Sequence, residues 1–208
     1  MKAIAISTDR TFITNEGENT LKERFRVLLK DTRLFDVLVG YFYTSGFYAL
    51  YRSLENTEKI RILIGINTNK QSSDLIQQSQ SPVQGSFQFS HSEAKEEFSK
   101  TLADEMEMSE DNNDVEDGVN KFQEWLQNGK LEIKAYPTEN IHAKLYIMTF
   151  AEDAMDIGRV ITGSSNFTHA GLIDNLEFNV ELKNRADYEF ALAKFNELWA
   201  SAVDVKDE

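Results

Sequence analysis

Two apolar runs constrain this chain more than anything else in it: Asp36-Val37-Leu38-Val39-Gly40-Tyr41-Phe42 and Lys59-Ile60-Arg61-Ile62-Leu63-Ile64-Gly65-Ile66. Short apolar segments of this kind, bounded by polar residues, read as strands, the first of them mostly buried. Between them lie a polar turn at Thr44-Ser45-Gly46 and a short helical stretch from Phe47 to Leu54. Strand, helix, strand at this spacing is a βαβ unit, which requires the two strands to run parallel.

The rest of the sequence continues the interleaving. A helix opens at Thr20, which with Glu23 forms a capping box ahead of Leu21, Phe25 and Leu28. Val115, Val119, Phe122 and Leu126 repeat along another helix, which Gly129 stops. Strands are expected at Leu131–Ala135, Ile141–Met148, Gly158–Thr162 and Leu176–Leu182. A closing helix carries Tyr188, Leu192, Phe195 and Trp199 on one face. Trp125 and Trp199 fall on helical stripes and are expected in the core or at an interface. The implied fold class is α/β: a layered α/β/α domain with a central mixed sheet and the site at one edge of it. It covers residues 1–208 as a single domain, interrupted by a polar and acidic helical insertion at about 68–117.

Charge is concentrated in that insertion. Eleven acidic residues and two lysines between Glu93 and Asp117 carry −9 of the chain's net −13. Phe98, Leu102 and Met106 make this stretch an amphipathic surface helix, followed by a loop at Asp111-Asn112-Asn113-Asp114. Such a balance disfavours non-specific DNA binding, and no dense Lys/Arg run offsets it. There is no cysteine, which excludes disulfides, thiolate metal sites and a cysteine nucleophile. Three histidines are too few for a His-rich metal site, although composition leaves room for a carboxylate-bound Mg²⁺ or Ca²⁺. No stretch approaches the ~20 apolar residues of a membrane span. The N-terminus turns polar too early for a signal peptide, so a cytoplasmic protein is expected.

The chemistry is concentrated between 141 and 182. On a strand, His142, Lys144 and Tyr146 project to one face, and Ile141, Ala143, Leu145 and Ile147 to the other. An imidazole and an ammonium side by side suit a phosphate diester. The lysine holds a phosphate oxygen while the histidine attacks phosphorus or moves a proton. The turn Gly163-Ser164-Ser165-Asn166 offers backbone N–H groups, hydroxyls and an amide to the same phosphate.

His142-x-Lys144, then Gly163-Ser164-Ser165-Asn166, then Glu177 within Asn175-Leu176-Glu177-Phe178-Asn179, resembles the signature of the phospholipase D superfamily. Val37 to Ile66 also resembles the start of the phospholipase D-like domain at the N-terminus of some bacterial superfamily-two helicases. The resemblance implies that His142 is the nucleophile of a phosphohistidine mechanism. It makes Lys144 and Asn166 the phosphate ligands, Ser164 a supporting hydroxyl and Glu177 the carboxylate that orients the histidine. No metal or other cofactor enters that mechanism. Two departures stand out. The family's aspartate five residues after the lysine is Thr149 here, with Asp153 and Asp156 out of register. The family's sites also use two such motifs, and this chain has one. His91 lacks a lysine two residues on, and His169 is followed by Gly171. A symmetric homodimer in which each copy supplies His142 is the economical completion.

The expected function is metal-independent phosphodiester hydrolysis, nuclease-like, on nucleic acid, with DNA ahead of RNA. The expected partners are a second copy of the chain and a downstream helicase domain, with no membrane. The chain has no Gly-x-x-x-x-Gly-Lys-[Ser/Thr] loop, so any ATPase lies outside it. Two alternatives keep the same fold: a non-catalytic nucleic-acid-binding or dimerisation module, and a lipid phosphodiesterase. His169 and the turn Tyr43-Thr44-Ser45, just past a strand's carboxyl end, are read as loop residues.

Overall fold

The computed structural model describes residues 11–40, 42–65, 113–136 and 141–204. Its frame is the expected parallel pair. Strand β2 (Thr32–Val39) lies beside β3 (Lys59–Gly65), in register from Leu34↔Lys59 to Val39↔Ile64. Strand β4 (Leu131–Tyr136) extends the parallel set on the far side of β3. On the other edge of β2 the sheet turns antiparallel, through β5 (Lys144–Phe150), β6 (Gly158–Gly163), β7 (Asn179–Leu182) and the short β1 (Phe12–Ile13). The short β8 (Val203–Asp204) pairs with β4, giving the order β1-β7-β6-β5-β2-β3-β4-β8. The sheet is mixed, as the sequence pattern requires.

Pleating sends alternate residues to opposite faces, and each face has its own core. Phe35, Val37, Val39, Ile60, Ile62, Ile64, Tyr146 and Met148 face three helices: α1 (Leu21–Leu28), α2 (Thr44–Leu50) and α3 (Asn113–Gln127). Leu38, Leu63, Ile147 and Val160 face α4 (Arg185–Ala200), which buries Tyr188, Ala191 and Phe195 against them. Asp36 also points to the α4 face. It is buried and bound through both oxygens by Arg61, at 2.6 and 2.7 Å. The Arg61 guanidinium stacks 4.9 Å from the Phe195 ring centre, so the charge is covered by an aromatic face.

The helices begin where capping dictates. The Thr20 hydroxyl accepts from the Glu23 N–H at 3.1 Å, while the Glu23 carboxylate pairs with Arg26 rather than returning to Thr20. Helix α3 ends two residues before Gly129, which adopts φ +78°.

Several boundaries differ from expectation. Strand β2 begins four residues before Asp36 and ends at Val39, because its Thr32 end pairs with Phe150 of β5. Helix α2 begins at Thr44 instead of Phe47, and residues 51–54 tighten into a 3₁₀ turn. Helix α3 starts at Asn113, inside the expected loop. Its buried residues are Gly118, Phe122 and Trp125, a stripe turned slightly from the expected one, with Trp125 in the core as expected. The acidic helix over Phe98, Leu102 and Met106, together with His91, lies outside the described residues. Among the described residues no helix is long and apolar enough to cross a membrane.

The two glycines at the ends of β2 and β3 set the path of the chain into β5. A Cβ on Gly65 would lie 2.7 Å from the Cβ and carbonyl oxygen of Ile141, and one on Gly40 would lie 2.7 Å from the same oxygen. The Gly40 N–H donates to the Ala143 carbonyl at 3.1 Å. These contacts lay Ile141-His142-Ala143 across the carboxyl ends of the parallel strands, and side chains at 40 or 65 would push the segment off.

Candidate active site

His142 does not sit on a strand. It occupies the extended lead-in to β5, whose first residue is Lys144, because residues 141–143 are held by the strand ends they cross. The expected alternation nevertheless holds. Ile141, Ala143, Leu145 and Ile147 pack toward α4, and Tyr146 and Met148 toward the opposite core. His142 and Lys144 continue the Tyr146 row to the sheet's end, with His142 exposed and Lys144 half-buried. The Lys144 ammonium donates to the His142 carbonyl at 3.2 Å. The Thr162 hydroxyl donates to the Lys144 carbonyl at 2.8 Å and so binds the start of β5 to the end of β6.

The turn after β6 is built by close approach to the segment entering β7. A Cβ on Gly163 would meet the Phe178 carbonyl at 2.2 Å, so the two backbones touch. The Ser164 N–H donates to that same carbonyl at 3.1 Å, and the Ser164 hydroxyl accepts from the Phe178 N–H at 2.9 Å. The hydroxyl's own proton goes to the Glu177 carboxylate in a very short hydrogen bond. Ser165 is buried and bonded in three directions. Its N–H donates to Asn179 Oδ1 (3.3 Å), its hydroxyl accepts from Asn179 Nδ2 (2.8 Å), and its carbonyl accepts from the Tyr146 phenol (2.8 Å). Burial, and then the negative charge of Glu177, push that phenol well above the ordinary tyrosine value.

Asn166 ends the turn half-buried, with its Oδ1 buried and unpaired among the described residues. Together with Glu177 it lines a depression of about 230 Å³, completed by Tyr43, Thr168, Gly171 and Asn175. His142, Lys144 and Ser164 are not in that lining. Among the sequence-predicted residues the structure thus joins Ser164 to Glu177, sets Asn166 beside Glu177, and couples Lys144 to the His142 backbone. No hydrogen bond links His142 to Glu177 among the described residues; the carboxylate is engaged by Ser164 instead. Glu177 also precedes β7 rather than lying on it, its N–H donating to the Thr14 carbonyl at 3.3 Å. Thr149 faces the other way, its hydroxyl 2.7 Å from the Tyr188 phenol of α4, so the residue at this position does not reach the His142 face. Asp156 pairs with Arg159. Asp153 borders a separate depression of about 420 Å³ at the opposite end of the sheet, with Lys30, Arg33 and Glu58.

Tyr43, which the sequence places in a loop past a strand's carboxyl end, borders the depression beside Asn166. The loop leaving β2 crosses to the turn after β6: Phe42 bridges Phe167, and the Tyr43 N–H donates to the Phe167 carbonyl at 3.2 Å. Its position past a carboxyl strand end was the available signal. His169 is exposed at the start of the π-helical turn Ala170–Asp174, with Nδ1 2.9 Å from Asp174 Oδ2. Among the described residues no group of three or more His, Asp or Glu side chains is arranged to hold a metal.

Chemically, one end of the sheet presents an imidazole, an ammonium, an amide and a carboxylate–hydroxyl pair. This set can bind an anionic diester and move a proton at it. The model of the family described as "Cardiolipin synthase, PLD-like domain" matches residues 30–199. A search of the curated proteins returns no match. Among solved structures, Nuc of Salmonella typhimurium, a phospholipase D family member, aligns at TM-score 0.48 and 15% identity, over 86% of this chain and 87% of its own. NucT from Helicobacter pylori aligns at 0.48 and 10%, over 88% and 90%. Yeast tyrosyl-DNA phosphodiesterase aligns at 0.40 and 16%, over 82% of this chain but 30% of its own length.

Proposed function

Because this chain belongs to the phospholipase D-like family, we propose that it is a phosphodiesterase that hydrolyses nucleic acid, with DNA as the preferred substrate and His142 as the nucleophile. An imidazole nitrogen of His142 attacks phosphorus, the bond from phosphorus to the leaving oxygen breaks, and that oxygen takes a proton from a second histidine. Water then attacks the phosphohistidine, gives its proton to the histidine that acted as acid, and releases the phosphomonoester. Lys144 neutralises charge on the non-bridging oxygens and the Asn166 amide N–H donates to them, a task for fixed donors. The observation that supports this reading is that the turn carrying Ser164 and Asn166, with Glu177 bonded to it, leaves β6 at the same end of the sheet at which Lys144 opens β5, the two strands tied there by the Thr162–Lys144 hydrogen bond.

The second histidine comes from a second copy of the chain. His169, the other histidine among the described residues, is engaged with Asp174 and supplies no companion lysine. A two-fold axis near His142 would let one motif build both halves of the site. A helicase motor as the attached partner rests on the resemblance of Val37–Ile66 alone.

The test is cleavage of bis(p-nitrophenyl) phosphate in excess EDTA by wild type and His142→Ala, with light scattering on the same samples. Turnover by a wild-type dimer that disappears in the folded variant is expected. Full residual turnover in His142→Ala removes His142 as nucleophile. Loss of turnover in EDTA replaces the histidine mechanism with a metal-dependent one, and an active strict monomer removes the shared site.

A further inference from the structure

We propose that the depression beside Asn166 is a slot for one nucleobase of a single strand, with the Tyr43 ring as its stacking wall. This rests on the nucleic-acid reading above and names the form of the substrate.

The slot is preformed. Phe42 is buried in the core at 7% exposure, so the chain alternation turns the next side chain outward, and Tyr43 is 43% exposed. Its backbone cannot drift. The Tyr43 N–H is bonded to Phe167, and Gly46 of α2 lies so close that a Cβ there would meet the Phe167 carbonyl at 2.5 Å. The floor is backbone at Gly171, where a Cβ would lie 2.5 Å from the Asn166 carbonyl. Asn15 clamps that floor from behind, donating to the carbonyls of Gly171 (2.9 Å) and Asn175 (3.0 Å). The Tyr43 ring pairs with no other aromatic ring among the described residues.

An exposed ring on an anchored backbone beside a polar lining is costly to leave in water and gains from a flat partner. A base is tethered to its own phosphate through one sugar, so a phosphate held at Asn166 brings the adjoining base within reach of Tyr43. In a duplex both faces of a base are covered by its neighbours. Only a splayed base or a single strand can offer a face to the ring. A phospholipid headgroup has no flat ring to offer, which separates this slot from lipid chemistry.

The experiment is fluorescence anisotropy at low salt, which limits screening of the few cationic contacts on a chain of net charge −13. The full chain carries His142→Ala so that the probe stays intact. The probes are a short labelled single-stranded DNA, the same strand with abasic residues, and its duplex. The parent is expected to bind the base-bearing strand more tightly than either control. Tyr43→Ala should weaken that binding by about tenfold while leaving the abasic strand within about twofold. Tyr43→Phe should retain the affinity. Tyr43→Leu, which keeps the apolar bulk, should behave as Tyr43→Ala does and covers the case in which the alanine variant fails to fold. Equal affinity of the parent for base-bearing and abasic strands overturns the slot and leaves the nucleic-acid reading standing. So does an equal loss on both strands in the Tyr43 variants. No binding of any strand overturns both.

Discussion

The two sides of the turn after β6 are built on opposite principles. Behind it, Arg24 with Glu181 and Ser165 with Asn179 form buried, hydrogen-bonded pairs. Glu181 is 2% exposed and receives two bonds from Arg24, at 2.5 and 2.8 Å, with Arg159 at 3.3 Å on the same carboxylate. Two residues earlier on the same strand face, Asn179 is fully buried and bonded twice to Ser165. In front of it, His142 is exposed, and Lys144 makes one long bond to a backbone carbonyl. Buried polar networks hold geometry at the cost of desolvation, whereas exposed groups stay free to meet a ligand. The difference assigns stability to one side and leaves the other free for the proposed chemistry, and substitutions on each side should separate the two.

Glu181→Ala is expected to have the largest effect on stability. It leaves the buried Arg24 guanidinium, 6% exposed, without its carboxylate. Removing one member of a buried pair costs about 3–5 kcal/mol, since the remaining charge stays desolvated. Urea unfolding of the variant beside His142→Ala measures the contrast. The histidine variant should lie within about 0.5 kcal/mol of wild type, as substitutions of exposed residues usually do. A loss at Glu181 below about 1 kcal/mol, the value of a solvated pair, would erase the distinction drawn between the two sides.

Asn179→Ala should come next. It removes both side-chain bonds to Ser165, one of them to a buried backbone N–H. Leaving such a group unsatisfied costs about 1–3 kcal/mol. The same bonds fix the turn that carries Ser164 and Asn166, so hydrolysis per folded molecule should fall as well. Lost stability with undiminished turnover would show that Asn166 is held by other means, the Gly171 contact foremost.

Much of this contrast was legible in the sequence, and the part that was not has a physical reason. The apolar runs at 37–39 and 60–64 predict two strands, and their short helical connection makes them parallel. The Thr20 cap and the Gly129 stop are local chemistry and are found where the sequence places them. The Gly163–Asn166 turn was readable for the same reason. Strand ends were less so, because β2 is lengthened by its antiparallel partner β5 and the β7 strand is shortened where Glu177 and Phe178 turn to bond Ser164. The buried carboxylate of Glu181 resembles any strand glutamate until Arg24, 157 residues away in sequence, is placed against it. Tyr43 was legible as a residue past a strand's carboxyl end, but its neighbour was not: only the crossing of the β2 exit onto Phe167 brings it beside Asn166. Long-range pairing of polar side chains leaves no period in a sequence, whereas cores and caps do.

Tyr146 lies at the boundary between the two sides, and its substitution is the smallest and most discriminating test. Its phenol donates to the Ser165 carbonyl at 2.8 Å, and Tyr146→Phe removes that bond without leaving a cavity, so a cost of about 1 kcal/mol at neutral pH is expected. The pH dependence carries more information. Burial, and then Glu177, raise the phenol's pKa in the folded chain above its unfolded value, so the folded state holds the proton more tightly. The resulting stability is fully present below the ordinary tyrosine value of about 10 and is lost as pH rises toward the raised one. Wild type should therefore lose stability on the alkaline side faster than Tyr146→Phe, and the two curves should converge above about pH 10. Replacing Glu177 by Gln in the wild-type background should reduce the alkaline slope only in part, since burial is the larger cause. Parallel curves for wild type and Tyr146→Phe would mean that the phenol titrates as a solvated one, and that the turn carrying Asn166 is not backed by a dry interior.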